Sequence, residues 1–289
     1  MQMDVRRLGH FVAVADHGGF TAAAKAVHVS QPALSLAVKD LENELGTRLF
    51  TRAGRKAQLT AAGQALLGPA RQVLRDLQTG RAAVAAVTGL ESGNLTLASL
   101  PTLAADPVAG LVGEFRRQYP GIRIDLAAPD DSTDLLDLVI TGACELGVTE
   151  ARDVPGTLDA VSLGAQEIAL ILPPGTATAD WESGQLAATP FIAAPPGTST
   201  RRLLDETLAA AGHRPRLAVV TAQRDAILPL VLAGAGAALV PESLATVAAQ
   251  LGAVVTWPVP AAVRQLALVH RPGSLSPAAA RFCEMARPG

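Results

Sequence analysis

At 289 residues, the chain is long enough for two or three domains and can bury an ample core without disulfide or metal staples. The 24 basic and 26 acidic residues nearly cancel, yet residues 1–88 hold 11 Lys+Arg against 6 Asp+Glu and the remainder 13 against 20, so net +5 faces net −7. That asymmetry, with all three lysines (Lys25, Lys39, Lys56) in the first part, predicts that a polyanion meets the N-terminal region while the acidic remainder stays off it, and it disfavours a non-specific DNA-coating protein. The N-terminus has no apolar signal core and no later run reaches the ~18 apolar residues of a membrane span, which predicts a soluble cytoplasmic protein without a membrane partner.

Leu8, Phe11, Val12 and Ala15 recur at helical spacing and predict a first helix over Asp4 to Asp16, ended by Gly18-Gly19. Thr21 is expected to cap a short Ala-rich helix, which breaks at His28-Val29. Ser30 then caps a third, with Gln31-Pro32 in its first turn. This helix has an apolar back (Leu34, Val38, Leu41, Leu45), a polar front (Gln31, Ser35, Lys39) and a stop at Gly46. Two helices joined by a tight turn, the second with a small polar face, are the shape that enters a major groove. Arg48 to Thr60 reads as two short strands around a Gly turn, a wing whose Arg52, Arg55 and Lys56 would lie over phosphate or a minor groove.

These residues resemble the LysR-type transcriptional regulators. The matching string runs through Phe11-Val12-Ala13-Val14-Ala15, Gly19-Phe20-Thr21-Ala22-Ala23-Ala24, Val29-Ser30-Gln31-Pro32-Ala33-Leu34-Ser35, Leu41 to Arg52, and Leu59-Thr60-Ala61-Ala62-Gly63. So many matches in one register are far more specific than a lone short motif. The resemblance implies that Gln31, Pro32 and Ser35 approach base edges, with Ser30 on the same surface and Thr21, Lys39, Arg52 and Arg55 on the backbone or minor groove. Leu36 stands where many members carry a polar or basic residue, so base readout leans here on methyl contact. The resemblance further implies double-stranded DNA, a small-molecule effector and RNA polymerase as partners, a homodimer or tetramer, and no cofactor or catalytic residue.

After Thr60 the chain runs without a turn signal to about Val87, and Leu66, Ala70, Val73, Leu77, Gly80, Val84 and Val87 form a heptad seam. The seam predicts a linker helix, 61–88, that dimerises through Leu66, Val73, Leu77 and Val84; packing on its own domain is the competing expectation. Gly89 to Gly93 marks a boundary. Beyond it, strand-like and helix-like segments alternate, the pattern of an α/β domain over 92–289.

The predicted fold is thus an all-α winged helix-turn-helix (1–60), the linker helix, and an α/β effector domain of two Rossmann-like subdomains, similar to periplasmic binding proteins. Subdomain I comprises about 92–162 and 266–289 and subdomain II about 163–265, with crossing strands near Ala160 to Gly164 and Pro260 to Gln265. Ligands of such clamshells lie where strands end and helices begin, since backbone N–H groups and the helix dipole converge there on an anion. Ser99-Leu100-Pro101-Thr102 and Gly197-Thr198-Ser199 fit that place, with Thr149 and Gln223 beside them, for a carboxylate or other anion; each Ser or Thr alone also fits a simple helix cap.

Enzyme signatures fail. Gly234-Ala235-Gly236 ends a helix and opens a strand, the reverse of phosphate cradling. No nucleophile elbow, P-loop or zinc-protease motif occurs, the five histidines are scattered, and Asp130, Asp131, Asp134 and Asp137 suit helix entry. Cys144 and Cys283 show no metal-ligand spacing and no cationic neighbour, which argues against the redox switch that some relatives use. The remaining rival is a small-molecule binding protein or enzyme whose N-terminal domain serves only assembly.

Overall fold

The computed structural model describes residues 4–53, 56–87, 93–177, 188–273 and 275–287. α1 (Val5–Asp16) is capped by Asp4, whose carboxylate accepts from the Arg6 amide at 2.9 Å, and α2 (Phe20–Ala26) and α3 (Gln31–Leu45) follow. Phe11, Leu34, Val38 and Leu41 are buried between the three helices. The Phe11 and Phe20 rings both meet Phe50, at 5.4 and 5.6 Å between centroids. Each such side chain taken from water contributes roughly 1.5–3 kcal/mol.

Ser30 accepts from the Ala33 amide at 3.3 Å, and Gly46 closes α3 at φ 69°, a left-handed position that glycine occupies without a Cβ penalty. The cap expected at Thr21 is absent. The Gly18-Gly19 turn lets α2 begin at Phe20, so Gly19 holds the cap position without a side-chain bond and Thr21 lies exposed inside the helix.

β1 (Phe50–Ala53) and β2 (Lys56–Leu59) pair antiparallel as the predicted wing, with Phe50 opposite Leu59. Arg55 at its tip, and the side chains of Arg52 and Lys56, lie outside the described residues. Thr60 then locks the wing to α4 (Ala61–Val87): its hydroxyl donates to the Arg48 carbonyl at 2.7 Å and accepts from the Gly63 amide at 3.0 Å.

The 27 residues of α4 make a rod about 40 Å long. Leu67 and Ala70 are buried in the N-terminal core and Leu66 packs against it, whereas Val73 and Leu77 are each 40% exposed. The predicted seam is therefore divided: its first two members face the chain's own domain and the next two face solvent. The Val84 side chain, and Gly89 to Ser92 of the expected boundary, lie outside the described residues. Arg71 pairs with Asp16 of α1 and donates to the Thr141 carbonyl at 3.0 Å, while Arg75 donates to the Gly142 carbonyl at 2.7 Å. One helix thus touches both ends of the molecule.

The C-terminal part is built on β3 (Gly93–Ser99), β4 (Ile122–Ala127), β5 (Leu146–Glu150), β6 (Asp159–Leu172), β7 (Pro190–Ala193), β8 (Arg216–Val220), β9 (Ala238–Pro241), β10 (Val254–Thr256) and β11 (Ala262–His270). β3 pairs parallel with β4 and β5, and the helices between and around them are the short α5 (Pro101–Leu103), α6 (Ala109–Gln118), α7 (Ser132–Ile140) and, at the C-terminus, α11 (Pro277–Met285). A second parallel pair, β7 and β8, is joined to β9 through the Phe191 and Ala237 bridge and carries α8 (Ser199–Ala210), α9 (Ile227–Leu232) and α10 (Glu242–Gln250).

Two long strands join the halves. β6 and β11 run antiparallel from Asp159 opposite His270 to Ile168 opposite Ala262, with an irregularity at Leu266/Ala267. The crossing segments expected near Ala160 to Gly164 and Pro260 to Gln265 are parts of these longer strands, because each strand serves both subdomains in turn. One core fills the first half around Leu97, Phe115, Val148 and Phe282, and two clusters cover the opposite faces of the second sheet.

Candidate DNA interface and effector cleft

Gln31, Pro32, Leu36 and Lys39 project from the exposed face of α3, with Ser35 half-buried among them. The Gln31 amide nitrogen donates to the Ser35 hydroxyl at 3.0 Å, which fixes the two groups as a unit. Ser35, Leu36 and Lys39 line a concavity of about 840 Å³ with Phe20, Arg48 and Phe50. Glu42 also lines it, but Asp40, Glu42 and Glu44 of α3 are each tied to a partner. Arg7 stands 3.8 Å from Asp40 and 3.4 Å from Glu44, and Glu42 accepts from the Leu49 and Phe50 amides at 2.7 and 3.2 Å. A polyanion approaching this face therefore meets Lys39 and Arg48 with little opposing charge. Ser30 and Thr21 are exposed on the same domain, the former as the α3 cap.

In the C-terminal half, Ser99 and Leu100 are buried where β3 ends, and Pro101 and Thr102 open α5 half-exposed. The Ser99 hydroxyl donates to the Leu100 carbonyl. Thr198 caps α8, accepting from the Arg201 amide at 3.3 Å while donating to the Pro195 carbonyl at 2.9 Å; Gly197 is exposed and Ser199 buried. Thr149 is fully buried at the end of β5 and its hydroxyl has no hydrogen-bond partner. Gln223 is exposed, but Arg224 beside it keeps Nε and Nη1 buried without partners.

The crossing strands contribute a polar cluster that sequence spacing did not reveal. Arg264 of β11, 4% exposed, donates to Gln166 of β6 at 2.6 Å and to Thr102 at 3.5 Å, and its Nη1 stands 4.0 Å from the buried carboxylate of Glu150. Burial pulls its guanidinium down to about 10, a shift that Glu150 and Asp106 oppose. Gln166 also donates to Asp106, whose carboxylate accepts from Ser243 of α10 at 2.8 Å. Arg202 of α8 and Arg152 also reach Glu150, at 3.4 and 2.8 Å, and extend the cluster to Asp153 at 2.6 Å and to Glu206 at 2.7 Å. Residues 60 to 137 apart in sequence thus close one bridge between the halves.

Cys144 and Cys283 share the first core, buried and unbonded, and burial pushes both thiols up to about 11. A thiol so raised is a poor nucleophile at neutral pH. Among the described residues, no helix is long and apolar enough to cross a membrane, and no group of three His, Cys, Asp or Glu is placed to hold a metal.

Comparison with known proteins bears on both sites. Residues 5–64 match the bacterial regulatory helix-turn-helix family of LysR type, and residues 88–289 match the LysR substrate binding domain. A probable RuBisCO transcriptional regulator of Trichormus variabilis is 30% identical over 90% of this chain and 80% of its own length. The SDS degradation transcriptional activation protein of a Pseudomonas strain is 42% identical, but over 52% of this chain and 49% of its own length, so the match spans about half of that relative. Full-length CbnR in complex with its target DNA superposes with a TM-score of 0.66 at 26% identity, covering 98% of this chain and 99% of that one. With a DNA-reading helix-turn-helix at one end and a two-subdomain effector-binding fold at the other, the chain belongs to the LysR family of DNA-binding transcriptional regulators.

Proposed function

We propose that the cleft between the two α/β subdomains holds the effector, at Ser99 to Thr102, Thr149, Gly197 to Ser199 and Gln223, and that its occupation sets how the N-terminal domains (1–60) lie on DNA. The observation that carries this reading is Thr149: a fully buried hydroxyl without a partner is costly, and it stands where β5 meets the crossing strands. The effector is a carboxylate or other anion, an assignment supported by the unpartnered guanidinium nitrogens of Arg224 and by the α8 N-terminus. Ligand moves the equilibrium only by binding two arrangements of the halves unequally.

On this reading DNA is met by Gln31, Pro32, Ser35 and Lys39 with Thr21, Ser30 and the wing cations. Two copies dimerise along the linker helix expected over 61–88 through Val73 and Leu77, which are open to solvent, and Val84, while Leu66 is shared with the N-terminal core. RNA polymerase is the protein partner, the cytoplasm the location, and no step is catalytic.

Thermal unfolding of the full chain against small carboxylates, amines and aromatics tests the cleft, because a ligand of the native state raises Tm by mass action. Thr149→Val should raise the ligand-free stability by about 1 kcal/mol, by removing an unsatisfied hydroxyl, and should abolish most of the shift given by the active compound. A variant that loses stability, or keeps the full ligand shift, removes Thr149 from the site.

A further inference from the structure

One side chain on the reading face of α3 is apolar and unused by the fold. Leu36 is 59% exposed, the most open of the large hydrophobic residues described, while Leu34 and Val38 on either side carry the core contact. Pro32, Leu36 and Lys39 follow at helical intervals of four and three, so Leu36 sits in the middle of the face that Gln31 and Ser35 edge. It lines the same concavity as Lys39 and Arg48. The positive N-terminal region and the tied-down acids of α3 make this a surface for duplex DNA rather than for an acidic or neutral protein. In the major groove the apolar group that changes with sequence is the thymine 5-methyl.

We propose that Leu36 reads a thymine methyl, so that each half-site holds one position where thymine is selected for its methyl group rather than for a hydrogen bond. Gln31 and Ser35, bonded to one another, would then set the neighbouring base through polar contact, and Leu36 would exclude water from the same step. This goes beyond the DNA binding already assigned to α3: it names the base and the atom.

Uracil supplies the test, since it pairs as thymine does but lacks the methyl. A duplex is first selected from random sequence with the full-length protein, and each thymine is then replaced singly by uracil. The wild type should bind about fourfold more weakly at one position per half-site, the value of burying one methyl-sized group. Leu36→Ala should bind thymine and uracil duplexes equally there, and Leu36→Met should retain the difference; because Leu36 lies outside the core, both should keep the wild-type melting temperature. No uracil penalty at any position, or the same penalty in Leu36→Ala, overturns the proposal while leaving DNA recognition intact. Failure to select any sequence would count instead against the reading of α3 as the recognition helix.

Discussion

Replacing Gly63 by Ala should destabilise the N-terminal domain by about 3 kcal/mol, although alanine is the better helix former. A Cβ at this position would stand 2.2 Å from the Leu49 carbonyl oxygen and 2.9 Å from Leu59 Cδ2. That carbonyl cannot retreat. It already accepts from the Thr60 amide at 2.9 Å, and the adjacent Arg48 carbonyl is held by the Thr60 hydroxyl, so the added methyl must push the wing off α4. Gly113, exposed in α6 with open space where a Cβ would be, is the control: Gly113→Ala should gain roughly 0.5–1 kcal/mol. Both tryptophans of the chain, Trp181 and Trp257, lie in the C-terminal part. Denaturant unfolding followed by far-ultraviolet circular dichroism should therefore show an early transition for Gly63→Ala that tryptophan fluorescence does not report.

Arg264→Ala should act at the other end of the molecule, lowering the stability of the effector domain by about 3 kcal/mol. Removing the guanidinium strips Gln166 and Thr102 of their donor and leaves Glu150 buried with less opposing charge, although Arg152 and Arg202 still reach that carboxylate. Here the tryptophan transition should move and the N-terminal one should not, a fall of roughly 6–12 °C in the midpoint for a domain of this size. An unshifted tryptophan transition would mean that the bridge between β6 and β11 is not a stabilising element.

Most of the N-terminal domain was legible because its signals are local. The Ser30 cap, Pro32 in the first turn, the Gly46 stop and the apolar back of α3 all act within a few residues of one another, and the wing shows as two short strands around a Gly turn. Thr21 misled because a double glycine allowed the helix to start earlier at Phe20, whose ring packs on Phe50. The length of the crossing strands was not legible: Gly164, at φ 86° within β6, reads as a break in sequence, and only the antiparallel partner β11 shows that the strand continues. α10 is faint in sequence: Leu244, Val247, Ala248 and Leu251 keep helical spacing before Gly252, but its many small residues weaken the pattern. The bridge of Asp106, Glu150, Gln166 and Arg264 could not be read from spacing at all. Register between β5, β6 and β11 brings Glu150, Gln166 and Arg264 together, the turn after α5 brings Asp106 to them, and each taken alone resembles an ordinary surface residue.

Equilibrium titration of the full chain against its own upstream duplex and a scrambled one, over a salt series, tests whether α3 meets DNA through a base-reading front and a phosphate-bound flank. Affinity should fall linearly with salt on logarithmic axes; Lys39→Ala should weaken both duplexes alike and reduce the slope by about 1, whereas Gln31→Ala should weaken only the upstream duplex, by about 1–3 kcal/mol, at unchanged slope. Equal, salt-insensitive binding to both duplexes, or no separation between the two variants, would contradict it.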